Sequence, residues 1–228
     1  MARDVERTGR KLAPLQREKI VQVALNLLNE VGLDGLTMRR LADHLDVQVA
    51  ALYWHFKNKQ ELLNAMADAM LAGCDRDIPD TEDWTQRLQA LAQKLRQTLL
   101  AYRDGARVFA GTHVAGENTL RCAEILYCTL YQAGYQPSSV FGAGWTIGYY
   151  VIGFTIEEQA FLSSVDTAQR NLLARALPNP EFPTLSMLQL FFEDWDFDAR
   201  FKYGLGLIIE GLRKEGGEQA KRDRSADA

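Results

Sequence analysis

Residues 32–71, GLDGLTMRRLADHLDVQVAALYWHFKNKQELLNAMADAML, carry the pattern that decides the fold of the N-terminal part of the chain. Thr37 offers a hydroxyl N-cap for a short helix, and a Leu-Asp-Val step ends that helix before another opens at about Gln48. Two short helices so close together are typical of a helix-turn-helix. Asn58, followed three residues later by Glu61, predicts a capping-box start for the next helix.

Helical periodicity extends in both directions from this stretch. Upstream, an apolar stripe of 4, 3, 1 and 3 spacing precedes Gly32, a natural left-handed helix stop; it comprises Ile20, Ala24, Leu27, Leu28 and Val31. Downstream, helices are predicted over 84–101, 116–133, 137–162, 166–176, 184–193 and 197–212. We therefore predict an all-α chain with a helix-turn-helix DNA-binding domain (1–62), a helical effector-binding and dimerisation domain (63–215) and a disordered tail (216–228).

Composition and charge indicate which classes of protein the chain can belong to. With 47% hydrophobic and 25% charged residues the chain is a folded globular protein, and its net charge of -4 argues against a protein that coats nucleic acid throughout. Residues 1–62 hold ten basic and eight acidic side chains (net +2), against sixteen and twenty-two (net -6) in the remainder. A polyanionic partner is therefore expected at the N-terminal end. Three cysteines without a CxxC pair predict reduced thiols in a cytoplasm.

One apolar stretch is long enough to raise the question of a membrane. Residues 125–156 contain no Asp, Glu, Lys or Arg, but Pro137 interrupts them and Glu157 and Glu158 follow at once. We interpret this stretch as a buried or dimer-facing helix and expect no membrane association. Residues 1–15 lack the apolar run of a secretory signal, so we expect no processing.

The sequence offers little for catalysis. Two of the three histidines, His44 and His55, fall inside the helix-turn-helix, which leaves His113. Glu157 and Glu158 are adjacent on a helix and point about 100° apart, so they do not face one site. No phosphate-binding glycine loop is visible. We predict that the protein is not an enzyme and uses no cofactor or metal.

Residues 52–59, LYWHFKNK, are more specific than a generic helix-turn-helix pattern. Together with the basic second helix and the apolar fourth helix, they resemble the DNA-binding domain of the tetracycline-repressor (TetR) family. Further matching pieces begin at Tyr102 (YRDGARV), Ile156 (IEEQ) and Phe201 (FKYGLGLIIEGL). These resemble the tetracycline-repressor subclass itself, which implies a repressor of double-stranded operator DNA that is released by a small-molecule effector.

A short helix can lie in the major groove and read base edges, with cationic and hydroxyl side chains on the flanking phosphates. The predicted phosphate contacts are Thr37, Arg39, Tyr53, His55, Lys57 and Lys59, most of which match family DNA contacts. The predicted groove-facing residues are Gln48, Val49, Ala50 and Ala51, with Arg39 reaching a guanine edge. Alternatively, Val49, Ala50 and Ala51 fill a helix core. For Leu52 and Trp54 the core is the preferred interpretation.

The resemblance also implies an effector site, in which this sequence departs from the family. Phe109 occupies the position of the histidine that holds the magnesium of the bound drug. Leu91, Leu95, Ile125 and His113 stand at positions of other drug contacts, whereas Thr112 and Glu157, associated with the metal's water shell, are retained. Because Phe109 offers no donor to Mg²⁺, we predict a metal-free effector.

The predicted effector is a flat, largely hydrophobic aromatic antibiotic, natural product or flavonoid-like compound. Trp145 and Tyr149 are predicted to complete an aromatic cavity around Phe109, with His113 and Glu157 orienting polar groups. A stripe of aromatic residues at helical spacing is alternatively plain core. Residues 140–161 and 197–212, rich in glycine, are predicted to form a four-helix bundle in a homodimer that reads a palindrome. Packing within one chain is the alternative for these helices, and an effector-independent regulator or activator is the alternative function.

Overall fold

The structure, a computed structural model, describes residues 16–112, 115–163, 176, 179–188, 191 and 196–226, with side chains of the last helix described as far as residue 216. Every regular element in these ranges is helical, which confirms the all-α prediction. The helices are α1 (Arg17–Gly35), α2 (Met38–His44), α3 (Val49–Tyr53), α4 (Lys59–Met70), α5 (Trp84–Leu100), α6 (Gly105–Ala110), α7 (Glu117–Gln132), α8 (Pro137–Ser163), α9 (Pro183–Met187) and α10 (Phe197–Ala226).

Local capping chemistry sets the ends of the helices near the predicted helix-turn-helix. The Thr37 hydroxyl accepts a hydrogen bond from the Arg40 backbone N–H at 3.1 Å and so caps α2. The Asn58 side chain accepts from the Glu61 N–H at 2.8 Å, and the Glu61 carboxylate accepts from the Lys57 N–H at 2.8 Å. That backbone hydrogen bond is the main reason why the pKa of Glu61 is lowered. Both predicted N-caps are confirmed.

A first apolar core joins α1, α2, α3 and α4. It contains the predicted apolar stripe of α1, Leu52 of α3, Phe56 in the turn after α3, and Leu62, Met66 and Met70 of α4. Packing of this core thus continues along α4 beyond residue 62, the boundary predicted from the sequence. The helix that carries the recognition residues is held by the same core that holds α4.

Gly32 interrupts the regular helix at the position where the sequence predicts a stop, although α1 resumes after the bend as far as Gly35. Its φ of 72° lies in the left-handed region, which disfavours residues with a Cβ. A Cβ at this position would lie 2.9 Å from Asp104 Oδ2 and 3.1 Å from Arg103 Nε. The bend therefore requires glycine for its backbone conformation and for the close approach of the 103–104 loop.

A second core joins α5, α7, α8 and α10. Phe201, Leu205 and Leu212 of α10 are buried against Val151 and Ile147 of α8. A smaller third cluster lies between the end of α4, α5 and α7, with Leu71, Cys74 and Leu91 at its centre.

A buried ion pair connects the helices of the second core. The Arg96 guanidinium donates two hydrogen bonds to the Glu158 carboxylate, both at 2.7 Å, and one to Asp198 at 2.6 Å. It also lies 5.0 Å from the ring centroid of Phe201 and 5.5 Å from that of Phe154. Burial acts to lower the pKa of Arg96, but the hydrogen bonds to both carboxylates raise it overall. The pair therefore ties α5 to α8 and α10.

Three elements differ from the sequence prediction. Helix α6 was not predicted, because a helix this short has no apolar periodicity to reveal it. It follows Asp104, which adopts a left-handed conformation with φ of 57°. Helix α9 ends at Met187, before the predicted end at residue 193. A disordered tail was predicted from residue 216, but helix α10 continues to Ala226. The Glu, Gln, Ala, Lys and Arg residues of this segment favour helix. The helix predicted over 166–176 lies outside the described residues except for Ala176.

Removing Glu158 should destabilise the protein far more than removing Asp198. Glu158→Ala leaves the Arg96 guanidinium buried without its bidentate partner, and we expect a loss of about 3–5 kcal/mol in the free energy of unfolding. Asp198→Ala should cost about 1 kcal/mol or less, since the Asp198 side chain is 68% exposed. Urea unfolding followed by circular dichroism measures both. Equal losses would contradict a dominant Arg96–Glu158 pair.

Candidate DNA-binding surface and effector site

The predicted DNA-contact residues lie on α2, on α3 and in the turn that leads to α4. Leu52 and Phe56 are fully buried and fix α3 on the first core. Among the predicted contacts, the exposed residues are Thr37, Arg39, Gln48, Ala50, Tyr53 and Lys57, and the partly buried ones are Val49, Ala51, His55 and Lys59. Val49 packs against the first core, so the alternative interpretation of this residue as core holds for part of its surface. Ala50 is exposed and does not belong to that core.

The interpretation of Trp54 as a core residue is wrong. Its side chain is 89% exposed, the largest exposure of any aromatic residue that the structure describes. Trp54 lies two positions from both Leu52 and Phe56, and residues two apart on a helical turn point in nearly opposite directions. Once Leu52 is assigned to the core, the phase of α3 alone places Trp54 on the outer surface beside Tyr53.

Two cationic side chains of this region have partners within the protein. The Arg40 guanidinium donates to the Gly35 carbonyl oxygen at 3.1 Å, and the Lys59 ammonium donates to the Leu33 carbonyl oxygen at 3.4 Å. Both carbonyls belong to the C-terminal end of α1. Arg39, adjacent to Arg40, is exposed. The surface therefore offers Arg39 to an external partner, while Arg40 contributes to the α1–α2 junction.

Four predicted effector residues converge on the third cluster. Leu91 is buried there, and Leu95, Phe109 and Ile125 pack against it together with Ile78 and Leu126. These side chains come from α5, α6 and α7 and from the segment after α4. Sequence reasoning did not identify Leu71, Cys74 and Cys122, which belong to the same cluster.

The other predicted effector residues do not join this cluster. Trp145 and Tyr149 are 47% and 65% exposed on the outer face of α8, where they form an aromatic row with Phe141. Glu157 is exposed on α8 and lines a groove between α8 and α10 with Tyr149. Helix α8 is apolar around nearly its whole circumference, so periodicity could not assign its faces. The prediction that these three residues line the cavity of their own chain is corrected accordingly.

Among the described residues, those that match the family's magnesium site are not gathered into a group of metal ligands. Phe109 provides a hydrocarbon ring, and the Thr112 hydroxyl donates to the Phe109 carbonyl oxygen at 2.7 Å. Glu157 lies on the exposed side of α8. Across the described residues, no group of three or more His, Cys, Asp and Glu side chains could hold a metal ion. His113 lies outside the described residues.

The loop before α6 holds the bent end of α1. The Arg103 backbone N–H donates to the Asn29 side chain at 2.9 Å, and the Arg103 guanidinium donates to the Glu30 carbonyl at 2.9 Å. The Leu33 N–H donates to the Asp104 carboxylate at 2.8 Å. These bonds join the helix-turn-helix region to the loop from which α6 begins.

Ion pairs reinforce this contact. Arg107 pairs with Asp34 of α1 at 3.4 Å and with Asp104 at 3.2 Å. Hydrogen bonds to these two carboxylates raise the pKa of Arg107. Both α6 and the loop before it are thus fastened to the end of α1.

Helix α4 contacts α6 and α7 on the other side of the third cluster. Its Asp68 carboxylate accepts hydrogen bonds from the Thr119 N–H at 2.9 Å and from the Thr119 hydroxyl at 2.8 Å, both in the first turn of α7. Its Gln60 side chain donates to the Gly111 carbonyl at 2.9 Å, just after α6. Phe109 packs against both the first core and the third cluster. Helices α6 and α7 therefore connect the third cluster to α4.

The outer faces of α8 and α10 carry exposed apolar side chains. Phe141 and Trp145 on α8 are exposed, as are Tyr203 and Leu207 on α10. By length and composition alone, α8 could cross a membrane. Its opposite face, however, is buried in the second core, and its Glu158 pairs with Arg96.

Comparisons with known proteins agree with this architecture. The model of the bacterial regulatory proteins of the tetR family matches residues 20–66, and that of the tetracyclin repressor-like C-terminal domain matches residues 78–215. Tetracycline repressor protein class A from transposon 1721 of Escherichia coli is 41% identical over 205 residues, which cover 89% of this chain and 93% of the relative. The class C repressor of Escherichia coli is also 41% identical, over 202 residues, which cover 88% of this chain and 91% of the relative.

Two solved structures extend the likeness to three dimensions. A possible TetR family transcriptional regulator from Streptomyces coelicolor A3(2) has a TM-score of 0.81 and 44% identity and covers 87% of this chain and 99% of its own. ActR from Streptomyces coelicolor, in complex with actinorhodin, has a TM-score of 0.80 and 31% identity and covers 90% of this chain and 100% of its own. Sequence, fold and matched length together show that the chain belongs to the tetracycline-repressor (TetR) family of bacterial transcription regulators.

Proposed function

We propose that the protein is a transcriptional repressor that binds a palindromic operator as a homodimer and leaves it when a small aromatic effector binds. The observation that carries the proposal is the position of α4. Its apolar side packs in the core that holds α3, and its Asp68 and Gln60 bond to α7 and to the residue after α6. The relatives named for tetracycline repression and the ActR structure with actinorhodin support it.

The DNA surface consists of α3 in the major groove and flanking phosphate contacts. Gln48, Val49, Ala50 and Ala51 face base edges, where a small apolar side chain can sense a thymine methyl. The phosphate contacts are Thr37, Arg39, Tyr53, His55, Lys57 and Lys59. The exposure of Trp54 adds this residue to the DNA-facing surface. The protein acts in the cytoplasm, where its operator is.

The effector enters the third cluster and displaces apolar side chains there. Leu91, Leu95, Phe109 and Ile125 provide the apolar contacts, and Thr112 and His113 lie close in sequence to Phe109 and orient polar groups of the ligand. This lining favours a flat hydrophobic molecule without a metal ion. Trp145, Tyr149 and Glu157 can contribute to an effector site only in the homodimer, because they lie on the face of α8 that a second copy of the chain would cover.

Release follows from a shift between two dimer conformations. In the DNA-bound form the two recognition helices lie about 34–36 Å apart, one turn of DNA. An effector beside Phe109 pushes on α6 and α7, and the bonds of Gln60 and Asp68 transmit the movement to α4. A coupling free energy of about 1–3 kcal/mol weakens operator binding by about 5- to 150-fold.

The proposal is tested by a gel shift with DNA from immediately upstream of the protein's own gene. We expect a salt-dependent shift that one compound abolishes, in a panel of tetracycline, minocycline, actinorhodin, aromatic polyketides and flavonoids. Release should be the same with Mg²⁺ and with EDTA, because the site offers no metal ligands at Phe109. A shift that no compound disturbs would point to an effector-independent regulator or activator.

Arg39 should matter more for DNA binding than Arg40. Arg39→Ala should weaken operator affinity by about 5- to 150-fold if its guanidinium reads a guanine edge. Arg40→Ala is the matched control, since that guanidinium is held by the Gly35 carbonyl. Fluorescence anisotropy with a labelled duplex measures both affinities at one salt concentration. Equal affinities of the two variants would contradict the assignment of Arg39.

The outer face of α8 and α10 should form the dimer. Trp145→Glu places a charge in the middle of this apolar face, so we expect monomers in sedimentation equilibrium without detergent and a parallel loss of operator binding. Leu120→Glu is the control, because Leu120 is exposed on α7, outside this face. A Trp145→Glu protein that stays dimeric would refute the proposed interface.

A further inference from the structure

Arg17, in the first turn of α1, bonds to the start of α4 and to the turn between α3 and α4 (residues 54–58). Its guanidinium donates two hydrogen bonds to one carboxylate oxygen of Glu61, both at 3.2 Å, and one to the backbone carbonyl of His55. It also lies 4.2 Å from the ring centroid of the fully buried Phe56. One side chain of α1 therefore holds the α3–α4 turn from 38 residues earlier in the chain.

The α3–α4 turn carries two of the proposed phosphate contacts, His55 and Lys57. One oxygen of the Glu61 carboxylate accepts from Arg17, and the other accepts from the Lys57 backbone N–H at 2.8 Å. The His55 carbonyl is bonded to Arg17 directly. His55 and Lys57 are thus both fixed through backbone atoms, and none of these bonds uses their side chains.

We propose that Arg17 is a positioning residue for DNA binding, which orders the α3–α4 turn so that His55 and Lys57 reach phosphates. This role rests on the proposed function, in which these two residues bind the DNA backbone. A turn that is already ordered loses less conformational entropy on binding, so its phosphate contacts are stronger than those of a loose turn. Arginine suits the role because its planar guanidinium stacks on a ring and donates in several directions at once, which a lysine ammonium does not.

A direct contact between Arg17 and a phosphate is the competing explanation, since the Arg17 side chain is 44% exposed. Substitution of Glu61 separates the two roles. Glu61→Ala removes a negative charge near the DNA surface together with the carboxylate that holds Arg17. If Arg17 binds phosphate itself, this change frees its guanidinium and DNA binding becomes tighter. If Arg17 acts through Glu61 and the α3–α4 turn, DNA binding becomes weaker.

The test measures binding of the full chain to two labelled duplexes by fluorescence anisotropy over a series of salt concentrations. One duplex is DNA from upstream of the protein's own gene, and the other is an unrelated sequence of equal length. For Arg17→Met we expect weaker binding to both duplexes. The slope of log affinity against log salt should fall by about 1–2, since each lost phosphate contact removes about 0.9. Lys19→Met is the matched control, because it removes an equal charge from an exposed position of α1 and should leave the slope nearly unchanged.

Three further comparisons show whether Arg17 acts through the turn. Arg17→Lys should recover only a small part of the lost affinity. Glu61→Ala should bind DNA more weakly than the wild type, and adding Arg17→Met to it should cost less affinity than in the wild-type background. In the free protein, the Lys57 backbone N–H should exchange with solvent faster in Arg17→Met but not in Lys19→Met.

Several results would overturn the positioning role. Full recovery by Arg17→Lys, or tighter binding by Glu61→Ala, would show that Arg17 acts only as a charge. Unchanged exchange at Lys57 in a folded Arg17→Met protein would show that Arg17 does not order the turn. Equal wild-type affinity for the two duplexes would contradict operator recognition alone, because phosphate contacts form with any sequence and the Arg17 comparison still decides. No wild-type binding to either duplex at low salt would overturn both proposals.

Discussion

The double attachment of α4 is the constraint on which the rest of the structure depends. Leu62, Met66 and Met70 bury one side of this helix in the core that orients α3. Asp68 and Gln60 bind it to the start of α7 and to the residue after α6. Buried apolar packing resists the displacement of a single helix, and α4 shares its buried core with α3. Helix α4 therefore connects the helix-turn-helix region directly to α6 and α7 of the C-terminal part of the chain.

The C-terminal end of α1 makes a second contact between the helix-turn-helix region and the start of α6. Gly32 bends the helix, and the Asp104 loop fits against the bend with a hydrogen bond to Leu33. Arg107 adds its pair with Asp34. Helix α6 is thus held to the first core at one end while its Phe109 reaches the third cluster. Behind it, the buried Arg96–Glu158 pair and the bond from Arg96 to Asp198 join α5, α8 and α10.

Sequence reasoning succeeded where the determinants are local. The caps at Thr37 and Asn58 and the stop at Gly32 depend on a few neighbouring residues, so their positions follow from residue chemistry. The periodic helices over 84–101, 116–133 and 137–162 agree with the structure to within about two residues, the usual uncertainty of helix ends. The convergence of Leu91, Leu95, Phe109 and Ile125 rests on resemblance to the family, since no periodicity relates residues of three different helices.

The failures have equally physical causes. Helix α8 is apolar on almost every side, so its sequence could not show that Trp145 and Tyr149 face outward while Ile147 and Val151 face the core. Helix α6 begins at a left-handed Asp104 whose conformation is stabilised by contacts with α1, far away in the chain. Trp54 was misassigned because an aromatic residue beside Leu52 suggests a core, although its helical phase places it outside.

The central claim is that the effector cluster and the DNA surface are energetically coupled, and linkage gives it a direct test. The compound of the gel-shift panel that most raises Tm is titrated calorimetrically into the protein alone and into the protein saturated with its operator. The account predicts that operator weakens compound binding by the same factor, about 5- to 150-fold, by which the compound weakens operator binding. Equal compound affinity in both titrations would show that the two sites are uncoupled and would contradict the account.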